Sequence, residues 1–291
     1  MSLKGYPKID TNVKKVFKEK YFIAQEKVDG SMFAFGYIDG ALRCRSKRNQ
    51  INLESPDSFF QIAVDYIKSI EDKIAKYENR IFYCEYLQKP KHNVLAYDKT
   101  PKNNLMMFDC YDIDRKIFVY INEFADALGI DSAPVLADSY NAKKIKNLLE
   151  LESYLGGQKI EGVVVKSYNY GDETEQIKVA KYVSPRFKEI QKGRKPKTKI
   201  TTEEMLKEFF DLFKNENRWA KALIHLKEQN LITGEVEDIP KLIKEIQRDV
   251  LDEEEQYIKS YLYKMFKKSI CITAVKGCAE WYKDKLANGG I

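Results

Sequence analysis

The period of the hydrophobic residues changes once along this chain, and that change limits what it can fold into. Up to about residue 184, short apolar runs of strand length alternate with stretches at helical spacing. Beyond it no alternating strand pattern is left. Such a chain builds a sheet-containing domain from its first two thirds and a helical one from the rest. Composition marks the break. Gln191-Lys192-Gly193-Arg194-Lys195-Pro196-Lys197-Thr198-Lys199 is a cation-rich run with a glycine and a proline. It reads either as an exposed linker or as a strip lying along a phosphate backbone. The expected layout is a domain over 1–190, a basic linker over 191–201 and an all-helical domain over 202–291.

Within the first part, strands are expected over 21–28 and 32–38, with Asp39-Gly40 turning the chain into Leu42-Arg43-Cys44-Arg45. Phe59, Ala63, Tyr66, Ile67, Ile70, Ile74 and Tyr77 recur at helical spacing, which predicts an amphipathic helix over 57–77. Further strands are expected at 80–87, 105–111, 158–166 and 176–183, and short helices at about 121–129 and 142–154. Hairpins mixed with helical blocks argue an α+β fold of antiparallel sheets with flanking helices. In the last third, Thr201-Thr202-Glu203-Glu204 caps a helix, and helical spacing continues through 216–229, 238–250, 253–268 and 271–286.

Bulk properties narrow the function classes. No apolar run approaches membrane-spanning length, and Met1-Ser2-Leu3-Lys4-Gly5-Tyr6-Pro7 lacks the apolar core of a signal peptide, so a cytoplasmic protein is expected. Cys44, Cys84, Cys110, Cys271 and Cys278 are odd in number and form no Cys-x-x-Cys pair, and there are two histidines, His92 and His225. That disfavours a structural zinc site and reads as reduced packing thiols. A net charge of +6 suits a phosphate-rich partner without requiring one.

Chemistry-bearing residues come as an ordered series on the predicted strands. Lys27-x-Asp29-Gly30 ends an apolar β-prone run, and Arg45-Ser46-Lys47-Arg48 closes the third strand. Glu85 sits among apolar neighbours, and Phe108-Asp109 lies in the next strand. Glu161-Gly162-x-Val164-x-Lys166 and the pair Lys178 and Lys181 follow. Together these residues suit a nucleotide pocket. An aromatic such as Phe108 offers a face for a base, and a buried carboxylate such as Glu85 accepts from ribose hydroxyls. The lysines and an arginine neutralise phosphates. Cations packed around Lys27 are expected to lower its pKa and make its amine a nucleophile.

The series resembles the covalent nucleotidyltransferases, the polynucleotide ligases and mRNA-capping guanylyltransferases, whose motifs run in this order. Within them the chain looks most like the RNA ligase 2 family, the phage-type double-strand RNA ligases. Shared features are the turn around Lys47-Arg48, Phe82-x-x-Glu85, Phe108-Asp109, Glu161-Gly162 and a helical tail from Glu216-Asn217-Arg218 to Asp249–Glu254. The resemblance implies that Lys27 carries AMP, with Glu26 and Asp29 bordering the nucleotide. It implies Arg48 (with Arg45 as the alternative) and Glu85 on ribose, and Phe108 on adenine. It further implies Glu161 on a catalytic Mg2+ or Mn2+, and Lys166, Lys178 and Lys181 on AMP and triphosphate phosphates. The family ends in Lys-x-Lys where this chain reads Lys178-Val179-Ala180-Lys181, so either lysine is a candidate for the contact to the AMP phosphate.

The implied activity is ATP-dependent sealing of 3′-hydroxyl/5′-phosphate breaks in RNA through lysyl-AMP. The expected partners are ATP and RNA, with nicked duplex as the substrate and no obligate protein partner. A minimal DNA ligase or a capping enzyme is the alternative, and either is expected to continue into a β-rich domain after residue 181. A third reading is an RNA-binding relative that has lost catalysis.

Overall fold

The computed structural model describes residues 2–56, 58–139, 145–168, 177–184 and 201–288. Most of the basic linker expected at 191–201 lies outside the described residues, as does 142–144 of the helix expected at 142–154.

In chain order the elements are α1 (Val13–Val16), β1 (Ile23–Lys27), β2 (Ser31–Ile38), β3 (Ala41–Ser46), β4 (Gln50–Ile51), α2 (Gln61–Ser69), α3 (Glu71–Ala75) and β5 (Arg80–Tyr86). There follow β6 (Leu105–Asp112), β7 (Ile117–Val119), α4 (Asn122–Ala127), β8 (Asp131–Ser132), β9 (Val135–Asp138), α5 (Ile145–Leu148), β10 (Gly162–Tyr168) and β11 (Ile177–Val183). The remaining elements are helical: α6 (Thr202–Asp211), α7 (Glu216–Lys227), α8 (Ile239–Ala274) and α9 (Cys278–Ala287).

The strands form two sheets. A four-stranded sheet runs β11-β10-β1-β9, and a larger one runs β4-β3-β2-β5-β6-β7, with β8 pairing parallel to β6. Every other pairing is antiparallel, as the hairpin signals require. Alternation then sorts side chains by face. One face of the larger sheet, with Phe33, Phe35, Phe82 and Cys84, packs on Ala63, Val64 and Ile67 of α2. The outer face of the smaller sheet, with Ala24, Val163, Val165 and Ala180, packs on Val16 and Leu148. Between the sheets lie Ala34, Tyr83 and Tyr111, with Tyr6, Phe108 and Tyr168 against them. The inner faces of both sheets therefore border one cleft.

The expected helix over 57–77 is two helices, because Ile70 leaves helical backbone at φ −116°, ψ 18°. Strands β4, β7, β8 and β9 were not predicted. At two to four residues they are too short for a period to register. The opposite happens after residue 238. Helical spacing is expected in separate stretches over 238–250, 253–268 and 271–286, yet α8 runs unbroken for 36 residues through the acidic run Asp252–Glu255. Glutamates are good helix formers, and Glu255 pairs with Lys259 at 2.7 Å one turn on. The helix ends before Gly277, whose φ of 81° is left-handed backbone that glycine adopts without a Cβ penalty.

The chain divides into two compact units, Met1–Leu242 and Ile243–Ile291. The first holds both sheets with α1–α7, and the second is the rest of α8 with α9. No described helix is long and apolar enough to cross a membrane. All five cysteines are free. Cys44, Cys84 and Cys110 are buried, while Cys271 and Cys278 are exposed.

Candidate active site

The cleft between the sheets is open to solvent, with about 490 Å³ of empty space in it when the solvent at its opening is counted. Strands β1 and β10 supply one wall through Gln25, Lys27, Val164 and Lys166, and β5 and β6 supply the other through Glu85, Met106 and Phe108. Register explains the first wall. Lys27 pairs with Gly162, Gln25 with Val164 and Ile23 with Lys166. Directly paired residues point the same way, so Gln25, Lys27, Val164 and Lys166 share one face.

Lys27 sits at the end of β1 with its amine 2.6 Å from Glu161 Oε2. Burial alone lowers the pKa of that amine, but Glu161, Glu85 and Asp29 raise it by more, so it lies well above the ordinary lysine value. This corrects the expectation that neighbouring cations depress it. The charges that act on it are the three carboxylates, and in this state Lys27 is an ammonium. The carboxylates answer in kind. Burial pushes Glu161 up to about 7 and Glu85 up to about 8, with Lys27 partly offsetting both.

Gly30 permits this crowding. A Cβ on it would lie 2.6 Å from the Tyr86 carbonyl and 2.8 Å from Glu85 Cγ. Its amide donates to Glu85 Oε1 at 3.0 Å. Gly30 sits at the bend between β1 and β2, and its role there is close approach to β5. Asp29 acts electrostatically on Lys27, Glu85 and Glu161 and is itself held by the loop before β6. Its carboxylate accepts from the amides of Val94 and Leu95, both at 2.9 Å, and from Asn93 Nδ2 at 3.1 Å, tying down the loop before β6.

The other predicted residues separate by location. The Glu26 backbone borders the cleft, but its carboxylate lies on the opposite face of β1, accepting from Ser153 Oγ at 2.5 Å and the Tyr154 amide at 3.0 Å. Phe108 lines the cleft edge-on to Tyr6, with ring centroids 5.1 Å apart. Lys166 is 1% exposed. Its amine donates to the Phe108 carbonyl at 2.7 Å and to Asp109 Oδ2 at 2.9 Å, beneath the Phe108 ring. It forms part of the cleft floor. Lys181 pairs with Val164 and therefore shares the face of Lys27, and its charge lowers the pKa of Glu161. Lys178 pairs with Ser167, lies on the other face, and meets Glu19 at 3.0 Å. The pairing register thus puts Lys181, and not Lys178, on the cleft side.

Arg45 and Arg48 also separate. The Arg45 guanidinium donates to the carbonyls of Leu3 at 2.6 Å, Ser46 at 3.0 Å and Lys47 at 3.2 Å. Arg48 instead reaches α7, with Nη2 3.5 Å from His225 Nδ1. One turn further along, Glu228 accepts from Ser31 Oγ, which also meets His92 Nε2 at 3.0 Å. The Gln88 amide donates to His92 Nδ1, so Nε2 carries the proton, and burial lowers His92 to about 4 and keeps it neutral.

Sequence reasoning left one central group without a role. Asp109 is fully buried and accepts from Lys166, from Tyr6 Oη at 2.6 Å and from Tyr168 Oη at 3.0 Å. An aspartate inside the apolar strand Leu105–Asp112 is the available signal, because a buried charge needs partners. Tyr6, on the strand-free amino-terminal segment, leaves no such signal.

Among the described residues no three of His, Cys, Asp and Glu form a closed metal cage. The chemistry of the site still fits a hard divalent cation. Mg2+ is commonly held by one or two carboxylates together with phosphates and water. Glu161 and Glu85 both act electrostatically on the Lys27 amine, and burial raises the pKa of each.

Two facing antiparallel sheets thus put a lysine-bearing strand at the edge of a cleft. The chain belongs to the RNA ligase family, whose model matches residues 20–183, more than half of its length. Among solved structures it is similar to Naegleria gruberi RNA ligase with pyrophosphate, at 16% identity and a TM-score of 0.49, over 64% of this chain and 57% of that one. A variant of the same ligase with ATP and manganese aligns at 14% identity and a TM-score of 0.48, over the same shares. The chain thus spans little more than half the length of these structures. No curated protein matches it.

Proposed function

We propose that this protein is an ATP-dependent RNA ligase that works through a covalent lysyl-AMP intermediate. Membership of the RNA ligase family supports the substrate class. The observation that carries the mechanism is the Lys27 amine, held by Glu161 at the mouth of a cleft walled by Phe108, Val164 and Met106. An apolar slot with an aromatic at its side suits a nucleobase, and a lysine at its mouth suits attack on the attached phosphate.

In the first step Lys27 Nζ, having lost a proton, forms a bond to the α-phosphorus of ATP while the bond to the β-phosphate oxygen breaks and pyrophosphate leaves. An oxygen of an RNA 5′-phosphate then attacks the same phosphorus, and Lys27 departs as an amine. Finally a 3′-hydroxyl attacks the 5′-phosphorus, AMP leaves, and a phosphodiester remains. Glu161, with Glu85, would hold a divalent cation, which supplies charge neutralisation at the phosphates. Phe108 orients the base, Arg48 and Lys181 bind the ribose-phosphate part, and Lys166 holds the floor through Asp109. We propose nicked duplex RNA as the substrate.

The minimal DNA ligase and capping readings lose ground because the described residues after Val183 contain helices and no strand. Incubation with α-labelled ATP or GTP and magnesium tests the proposal. Acid-labile, alkali-stable label from ATP that disappears in Lys27→Ala is expected. Label from GTP alone points to capping, and no label with either nucleotide refutes the enzyme. Nicked duplexes with RNA or DNA on each side of the break then settle the substrate.

A further inference from the structure

Residues 3–10 run from one wall of the cleft to the other, and no step of the proposed reaction uses them. Leu3 is buried against the larger sheet. Its amide donates to Gln50 Oε1 at 3.3 Å, and its carbonyl accepts from Arg45 Nη1 at 2.6 Å and Gln50 Nε2 at 3.3 Å. The Lys4 carbonyl accepts from Tyr83 Oη at 3.0 Å, and Tyr6 Oη donates to the buried Asp109 at 2.6 Å. Strands β3, β4, β5 and β6 of the larger sheet thus grip this segment, through Arg45, Gln50, Tyr83 and Asp109 in turn. At its other end Asp10 lies parallel to β11. The Asp10 amide donates to the Val179 carbonyl at 3.1 Å, and its carbonyl accepts from the Lys181 amide at 2.8 Å. The segment therefore ties the larger sheet to the outermost strand of the smaller one.

We infer that this tie sets where Lys181 stands in the cleft, with Asp10 as the positioning residue. On one side β11 is braced by β10. On the other, the two Asp10 bonds bracket Ala180 and hold the backbone of Lys181 itself. An outermost strand without such a partner presents unpaired N–H and C=O groups and opens more readily. Lys181 carries its amine on a long stem, and a fixed backbone removes part of the freedom that a contact to phosphate must otherwise freeze. The larger sheet brings Glu85 and Phe108 to the same cleft. A tie of fixed length therefore also fixes the spacing between those groups and the lysine across from them. Such spacing matters for rate, since a misplacement of about 1 Å can cost about a hundredfold. The same bonds give Arg45 its part, as an anchor of the tie on Leu3. The inference rests on the cleft being an ATP site with Lys181 on the phosphates.

The experiment slackens the tie without removing a side chain. Two glycines inserted between Lys8 and Ile9 add up to about 7 Å of chain. The same pair inserted between Ser2 and Leu3 leaves the tie its length and is the control. Single-turnover adenylation of the full chain is measured for each insertion, alone and with Lys181→Ala, alongside ATP affinity and circular dichroism melts. The slack protein is expected to lose about tenfold or more in rate at saturating ATP, with affinity changed less than about threefold, while the control keeps its rate. Because the tie acts through Lys181, Lys181→Ala is expected to cost much less in the slack protein than in the wild type. Gln50→Ala removes two bonds to Leu3 and is expected to lose about two- to threefold with the same non-additivity. It carries the test if the slack protein does not fold. Three results overturn the inference alone: an undiminished rate in a folded slack protein, equal losses in both insertions, or losses that multiply with that of Lys181→Ala. Failure of the wild-type protein to label Lys27 with ATP overturns the ATP site and the inference together.

Discussion

Lys27 Nζ lies 2.6 Å from Glu161 Oε2, with Glu85 and Asp29 also acting on the amine, so the proposed nucleophile is held protonated by carboxylates. The charge that orients the amine therefore opposes its attack, and neutralising Glu161 and Glu85 relieves the opposition. We expect the rate of lysine adenylation to rise with pH, because the amine must lose its proton. We also expect the midpoint of that rise to move to lower pH as Mg2+ is increased. Single-turnover labelling across pH at several Mg2+ concentrations checks this. A midpoint independent of Mg2+ would show that the carboxylates do not control Lys27.

Glu85 carries a second pH effect, on stability. Its folded pKa of about 8 lies above the usual carboxylate value, so the native state binds a proton that the unfolded chain releases. The contribution is fully present below about pH 4.5 and is lost as pH rises through about 8. Glu161, raised to about 7, acts in the same direction. Without nucleotide, Tm is expected to fall between about pH 5 and pH 8. Glu85→Gln, which keeps an acceptor for the Gly30 amide, should flatten that fall and raise Tm at pH 8 by about 2–4 °C per kcal/mol of charge-burial cost removed. An unchanged slope in this variant excludes Glu85 as its source.

Asp109 and Lys166 form a buried pair at 2.9 Å, with exposures of 0% and 1%. Breaking such a pair from one side strands the other charge and costs about 3–5 kcal/mol. Asp109→Ala is expected to lower stability by that amount in urea denaturation. The double variant with Lys166→Met should recover much of the loss, because no charge is then left unpaired. Additive losses would show that the two side chains do not act as a unit.

Ser31, at the start of β2, donates to Glu228 just beyond the end of α7, within the first compact unit. Hydrogen bonds to charged groups contribute about 1.5–3 kcal/mol when removal leaves the partner buried. Glu228→Ala is therefore expected to destabilise the protein on that scale and to speed hydrogen exchange in 216–228. Exchange identical to wild type in that segment would show that the bond does not hold α7.

The order of the motifs along the strands made Lys27, Glu85, Phe108 and Glu161 legible as one cleft, because a strand's alternation limits where its side chains go. The sequence also carried the change from strand to helical period, visible as no strand among the described residues beyond Val183. Short strands such as β8 and β9 escaped, since two to four residues hold no measurable period.

What tertiary structure alone decided is register and neighbourhood. A shift of one residue in the β10–β11 pairing would exchange the faces of Lys178 and Lys181, and nothing local to those residues sets it. Similarly, whether Lys27 meets cations or carboxylates depends on β5, and on Glu161 arriving from 134 residues away just before β10. The local chain determined which residues were available for chemistry. Long-range packing determined their charge environment, because electrostatic coupling depends on distance in space and the burial of each group.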